Sequence, residues 1–291
     1  MHTKEVKGIL SATNGMNLYR GCQHGCIYCD SRSKCYQFDH DFEDIEVKSN
    51  AIVLLEETLK HKRKKCMIGT GSMCDPYMPL EQEVQLTRKS LEIIERYEFG
   101  VTLITKSDLV LRDLDLLKKI NQKTKAVVQI TLTTYDDELC KKLEPAVCTT
   151  KRRFEVLKIL QENNIPTVVW FDPILPFITD TEENVKGILS YCVDAGVKGI
   201  ICFGMGMTLR EGNREYFYKA LDKHFPGMKE KYMKAFGKAY EIVSPKNKEL
   251  MKIYYSTCRE HGIMSKPNDV FNYLHQFEEK GNEQISMFDL I

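Results

Sequence analysis

Cys22, Cys26 and Cys29 stand in the run Gly21-Cys22-Gln23-His24-Gly25-Cys26-Ile27-Tyr28-Cys29, a C-x3-C-x2-C spacing on one short loop. Thiolates are soft ligands that suit zinc or iron–sulfur clusters. Three of them leave a metal site one ligand short. In a cubane of four irons the shortfall exposes one iron, and an exposed iron can bind a substrate. A zinc site or an electron-transfer cluster would need a fourth ligand, for which Cys35, His24 and His40 are near enough in sequence. Structural zinc sites usually present paired C-x2-C knuckles, and no second pair follows, so the open cluster is the favoured reading. His24 and Cys35 otherwise read as local packing.

Such a loop needs a scaffold. The chain has 291 residues, 43% hydrophobic and 29% charged, which is the balance of a globular protein with one sizeable core. Short β-branched and aromatic runs predict strands at 16–20, 66–71, 101–105, 126–133, 167–172 and 199–204. Helical periodicity predicts helices at 51–65, 83–97, 113–121, 151–163 and 181–195, the last with Gly196 as C-cap. Alternation of this kind builds a parallel sheet, and the right-handed crossover rule curls six such strands into a partial α/β barrel. The cysteine loop follows strand one, at the C-terminal face where barrels keep their chemistry. Beyond strand six the pattern turns helical, at 213–224, 229–240 and 246–261, with Ser244-Pro245 as an N-cap and first-turn pair. The expected organisation is a barrel over 1–210, a helical extension over 211–277 that closes its open side, and a tail over 278–291.

Bulk composition excludes several classes. A formal net charge of +1 gives no global basic field for nonspecific nucleic-acid binding. Eleven cysteines without an apolar leader favour a reducing, cytoplasmic setting over a disulfide framework. No apolar run is long enough for a membrane span.

The triad, with the aromatic Tyr28 directly before its third cysteine, resembles the signature of the radical S-adenosylmethionine enzymes. That resemblance implies a laterally open (β/α)6 barrel and a [4Fe-4S] cluster whose free iron is chelated by S-adenosylmethionine. It also implies a 5′-deoxyadenosyl radical as the reactive product and an electron donor such as ferredoxin or flavodoxin. Three further segments resemble the branch that contains spore photoproduct lyase, a DNA repair enzyme: Thr70-Gly71-Ser72-Met73-Cys74-Asp75-Pro76-Tyr77; Ile104-Thr105-Lys106-Ser107 with Leu111-Arg112-Asp113; and Thr131-Leu132-Thr133-Thr134 with Glu144-Pro145 downstream. By that resemblance Tyr28 lies beside the adenine, while Ser72, Lys106, Thr131, Thr133 and Thr134 are candidates for cofactor contacts. The threonines read equally as strand packing, and Lys106 as a solvated lysine. The branch's hydrogen-donor cysteine aligns on Ser72, two residues from Cys74. In an extended segment that offset keeps the same face, so Cys74 is a candidate donor, against a buried structural cysteine. Tyr77 is the candidate radical relay, and Cys140 a second donor candidate.

Two basic stretches, Lys60-His61-Lys62-Arg63-Lys64-Lys65 and Lys151-Arg152-Arg153, read as helix-dipole complements or phosphate contacts. The tail Gln284-Ile285-Ser286-Met287-Phe288 looks like the peptide that docks on the DNA sliding clamp; the alternative is a tail folded onto the barrel. The expected function is a radical enzyme, a lyase repairing a damaged pyrimidine in DNA. The alternatives are radical modification of RNA or protein, and a non-catalytic iron–sulfur module recruited to the clamp.

Overall fold

The structure is a computed structural model that describes residues 1–280; the clamp-like segment 284–288 lies outside the described residues. The chain opens with β1 (His2–Lys4), β2 (Gly15–Met16), β3 (Tyr19–Arg20) and β4 (Glu46–Lys48). Strand one of the sequence reading is therefore split in two. Its first half, β2, joins the main sheet, while β3 peels away to pair antiparallel with β4, which pairs parallel with β1. This small sheet was not foreseen, because two- and three-residue strands leave no readable periodicity.

The βα units follow in order: α1 (Ala51–His61), β5 (Met67–Thr70), α2 (Glu81–Val84), α3 (Leu86–Arg96), β6 (Gly100–Thr105), α4 (Leu114–Lys123), β7 (Ala126–Thr131), α5 (Asp137–Leu143), α6 (Thr150–Glu162), β8 (Thr167–Trp170), α7 (Glu182–Asp194) and β9 (Gly199–Ile201). The sheet runs β2-β5-β6-β7-β8-β9, every pair parallel and every neighbour consecutive. No closing pair joins β9 to β2 among the described residues, so the expected open six-stranded architecture is the one observed.

Helix α1 stops at His61, four residues short of expectation, and Lys65 runs toward β5 with Nζ over the Phe99 ring at 4.5 Å. The expected single helix at 83–97 is broken at Gln85, whose φ is +53°. The cause is Glu81, fully buried, whose carboxylate accepts the Tyr19 hydroxyl, the Thr87 amide at 3.0 Å and Arg112 at 2.9 Å. It satisfies a free N–H at the start of α3 and so favours a fresh helix over a continuous one.

The two faces of the sheet bury different partners, as period-two alternation requires. Ile68, Val101, Leu103, Val128 and Val169 pack with the helices in the main core. Met67, Val127, Val168 and Ile201 point the other way, onto Val270 and Leu274. Those two belong to the last of the C-terminal elements: β10 (Gly206–Thr208), α8 (Asn213–His224), α9 (Met228–Phe236), β11 (Glu241–Val243), α10 (Asn247–Glu260) and α11 (Pro267–His275). Helix α11 was missed by sequence reading. So was the antiparallel β10–β11 ribbon, which takes part of the region expected to be helical. Ser244 precedes α10 as a turn residue: Oγ accepts the Lys246 amide at 2.9 Å and donates to Asp180 at 2.5 Å.

Candidate active site

The cysteine loop leaves β3 through Gly21, at φ +90°, where a Cβ would stand 2.4 Å from the Phe42 carbonyl oxygen. Glycine alone allows that approach. Backbone bonds then hold the loop: Cys22 N to Phe42 O at 3.2 Å, Ile27 N to Leu143 O at 2.9 Å and Ala146 N to His24 O at 3.1 Å. His24, buried, places Nδ1 3.1 Å from Ala146 O and Nε2 3.0 Å from Asp75 Oδ2. Both ring nitrogens thus face protein oxygens, although Nε2 meets Asp75 off the line of a hydrogen bond.

Asp75 is the hub beneath the loop. Besides His24, its oxygens accept Tyr77 N at 2.9 Å, Thr105 Oγ1 at 2.7 Å and Lys106 N at 2.8 Å. Burial works against its charge, but His24 and these donors outweigh it and bring its pKa down to about 2. A second hub is Glu144, also fully buried, which accepts the Tyr28 hydroxyl, Thr133 Oγ1 at 3.2 Å and the Arg153 guanidinium. Arg153 in turn donates to Thr131 O at 2.7 Å. Arg153 is thus an internal tie and not a free phosphate ligand, while Arg152 pairs with Asp108 and Glu155. Spacing alone had grouped Arg153 with its exposed neighbours; its place on the inner face of α6, with Val156, Leu157 and Leu160, was the available signal.

Cys26 is buried, while Cys22 and Cys29 are partly exposed. Burial pushes Cys22 up to about 11 and Cys26 well above the ordinary thiol value. The donor set fits a four-iron cluster better than a single ion. Tetrahedral zinc, with Zn–S bonds of about 2.3 Å, holds its sulfurs about 3.8 Å apart. Among the described residues, the ligand trio gathered within 4.8 Å is His2, His40 and Asp44, so the three thiols stand wider than one ion allows. Two of the fourth-ligand candidates stand among other groups. His40 belongs to that trio, and Cys35, exposed, accepts from Arg210 at 3.4 Å.

Above the loop a cavity of about 620 Å³ opens at the C-terminal ends of the strands. Its walls bring together Tyr28 and Cys29 from the loop, Ser72 after β5, Lys106 after β6, Asp172 after β8 and Phe203 after β9. Gly71 turns the chain there at φ +102°, where a Cβ would meet Ile104 O at 2.2 Å. The Lys106 ammonium sits 5.9 Å from the centre of the Tyr28 ring and has no hydrogen bond or ion pair among the described residues. Burial lowers its pKa, but Cys26, Glu144 and Asp75 outweigh it, so the lysine stays charged. Asp172 opens the turn Asp172-Pro173-Ile174-Leu175-Pro176 after β8, whose two prolines make it a rigid place for a cofactor contact. Burial raises its pKa to about 7, with Lys106 opposing.

Other candidates lie outside the cavity walls. Thr131 and Thr133 are buried and tied to the Glu144–Arg153 hub, and Thr134 accepts the Asp136 amide at 3.3 Å. Cys74 is 5% exposed and donates to Tyr19 O at 3.1 Å; burial raises it to about 12. Tyr77 is buried in the main core, with the Arg112 guanidinium 5.7 Å from its ring. Cys140 touches Arg153 and Glu144.

A triad of thiols at the open mouth of a parallel half-barrel, beneath a cavity with one free cation among the described residues, is the arrangement of an iron–sulfur site with an open coordination position. The radical SAM superfamily model matches residues 16–192, and the chain belongs to that superfamily. Its cofactors are accordingly a [4Fe-4S] cluster and S-adenosylmethionine. An uncharacterised protein of Methanocaldococcus jannaschii is 36% identical over 169 residues, which is 57% of this chain and 62% of that protein; the match spans less than two thirds of this relative's length. An uncharacterised protein of Mycobacterium tuberculosis is 26% identical over 245 residues, 81% of this chain and 71% of that one. Among solved structures, a spore photoproduct lyase variant overlays with a TM-score of 0.65 at 13% identity, over 91% of this chain and 80% of the other. A second, with bound AdoMet and dinucleoside spore photoproduct, gives 0.62 at 14%, over 87% and 75%. At these identities the likeness is one of fold.

Proposed function

We propose that this radical S-adenosylmethionine enzyme is a lyase of the spore photoproduct type, acting on a damaged pyrimidine in DNA. The observation that carries the reading is the cavity: one space touches the cluster loop at Tyr28 and Cys29, a lone cation at Lys106, and the indole and phenyl of Trp170 and Phe203. A flat base recognised by stacking and a cofactor recognised by charge both fit that lining. The overlay with spore photoproduct lyase supports it, since it extends past the family-matched segment into the C-terminal elements.

Cys22, Cys26 and Cys29 hold the cluster. When bound and reduced, it supplies one electron that splits the sulfonium of S-adenosylmethionine into methionine and a 5′-deoxyadenosyl radical. The chain's own residues orient and shield. Tyr28, locked by Glu144, gives a fixed aromatic wall, and Lys106 offers its charge to the cofactor carboxylate. Ser72 lines the same cavity and offers it a hydroxyl. The tyrosine and cysteine roles expected from the branch fall to Tyr77 and Cys74 only if the Asp75 loop opens, because both are buried.

The test is anaerobic reconstitution with iron and sulfide, reduction with dithionite, and chromatography for 5′-deoxyadenosine and restored thymine. The expected result is cleavage stimulated by ultraviolet-damaged DNA, with thymine released. Cleavage indifferent to DNA, without repair, overturns the DNA reading and leaves radical chemistry on another substrate. Recruitment by Gln284–Phe288 to a sliding clamp belongs to the same proposal; clamp binding unchanged on removing 284–291 overturns it.

A further inference from the structure

We propose a second metal site, distinct from the cluster, for a divalent ion of the zinc class held by His2, His40 and Asp44. One ligand atom from each lies within 4.8 Å of the others. The residues come from two separate parts of the chain, β1 and the 38–44 loop, so the grouping is a product of the fold and not of local spacing.

One of the two imidazoles, His40, has the backbone hydrogen bond that metal-bound imidazoles adopt. His40 faces the Asp41 carbonyl with Nδ1 at 2.9 Å, which fixes the proton there and leaves Nε2 with its lone pair. That Nε2 is buried and has no hydrogen-bond partner. A buried, unpaired ring nitrogen is costly unless something accepts its lone pair, and a cation does so. His2 directs Nδ1 at Asp44 Oδ2 at 2.9 Å, a hydrogen-bond distance that must open to about 3.4 Å to admit a tetrahedral ion, while Asp44 Oδ1 holds the Met1 amino group at 2.6 Å. Its other nitrogen faces Glu46 Oε2 at 3.9 Å. Glu46 is almost fully buried, and its charge is shared with Lys4 at 3.1 Å, so it can serve as the outer carboxylate that orients a ligating histidine. The two rings meet edge to face, with centroids 4.8 Å apart.

Two imidazoles and one carboxylate suit zinc and its neighbours over calcium or magnesium, which prefer oxygen alone. His2 and Asp44 are about two-fifths exposed, so an ion can enter and a water can complete its shell. The consequence reaches the cluster. The 38–44 loop carries the Phe42 carbonyl that receives Cys22 N and limits Gly21, so an ion here pins the base on which the cysteine loop rests.

The experiment uses the holoprotein with its cluster reconstituted, so that the thiols are occupied. Zinc is titrated anaerobically against a fluorescent chelator, and zinc-edge X-ray absorption identifies the ligands. The expected result is one zinc per chain with a nitrogen and oxygen shell showing imidazole scattering and no sulfur. His40→Gln and Asp44→Asn should each weaken binding by at least about 10- to 100-fold, the scale on which even outer ligands act. Both should retain cluster absorption. A sulfur shell, absence of stoichiometric binding, or unchanged affinity in either folded variant overturns the proposal; should one variant fail to fold, the absorption spectrum of the parent still decides.

Discussion

His24 and Asp75 show how single residues hold a cluster loop in place. Removing His24 leaves the buried Asp75 carboxylate with one partner fewer beside Tyr77, Thr105 and Lys106, a loss of roughly 1–3 kcal/mol. His24→Gln is therefore expected to lower the thermal midpoint and to retain less than the full iron complement after gel filtration; full retention with an unchanged midpoint would remove His24 from the support of the loop. The pH dependence has a definite sign. Asp75 titrates near 2 in the fold, below the usual carboxylate value of about 3.9, so its contribution is present above pH 4 and lost as pH falls toward 2, about 2–3 kcal/mol in all. Asp172 runs the other way. Its pKa of about 7 means that the folded state keeps a proton that the unfolded chain releases near pH 4, so stability falls as pH rises from 4 to 7. Asp172→Asn is expected to raise the melting temperature at pH 8 and leave it nearly unchanged at pH 4; an equal shift at both would deny the titration. The cysteine triad stood out because thiol spacing carries a chemistry of its own, and the superfamily match over 16–192 includes it. His24, Asp75, Glu144 and Arg153 were visible as residues, but not as pairs, because partners such as His24 and Asp75 are brought together only by the fold.

At the scale of elements, the strand and helix order was readable because each βα unit carries its own period. All six expected parallel strands form, five of them shorter than expected and β6 one residue longer, from Gly100. What escaped were elements defined by tertiary partners. Helix α2 ends where Glu81 caps α3, and β3 and β4 exist only because they pair. The loop after β5 yields a sharp prediction. Gly71 has a φ that side chains avoid and faces Ile104 O and N at under 3 Å from any Cβ, so Gly71→Ala must move the loop or strain it by about 1–3 kcal/mol. Ser72 moves with it. The expected outcome is weakened S-adenosylmethionine binding, by isothermal titration of cluster-loaded protein, with modest loss of stability; unaltered affinity would place Ser72 outside the cofactor site.

For the whole molecule, the division expected at residue 210 raises the question of whether the C-terminal elements unfold as a unit. Their contacts argue that they do not. Met264 bridges Gly199 in parallel, in effect prolonging the sheet beyond β9, and the Tyr254 hydroxyl donates to Ile200 O at 2.8 Å. Helix α11 is seated on the inner face, where Val270 and Leu274 meet Met67, Val127 and Val168. Lys125, nearly fully buried at the foot of β7, donates to Tyr273 O at 2.9 Å and pairs with Glu278 at 2.6 Å. A half-barrel without a seventh and eighth strand has an apolar interior to cover, and α11 covers its lower part while the cavity keeps the upper part for chemistry. Leu274→Ala should therefore cost about 2–5 kcal/mol and lower one cooperative transition seen alike by far-ultraviolet circular dichroism and by Trp170 fluorescence. Two transitions, with only the earlier one shifted, would mean that the C-terminal elements fold apart from the sheet. A single shifted transition would make α11 part of the core that carries the site.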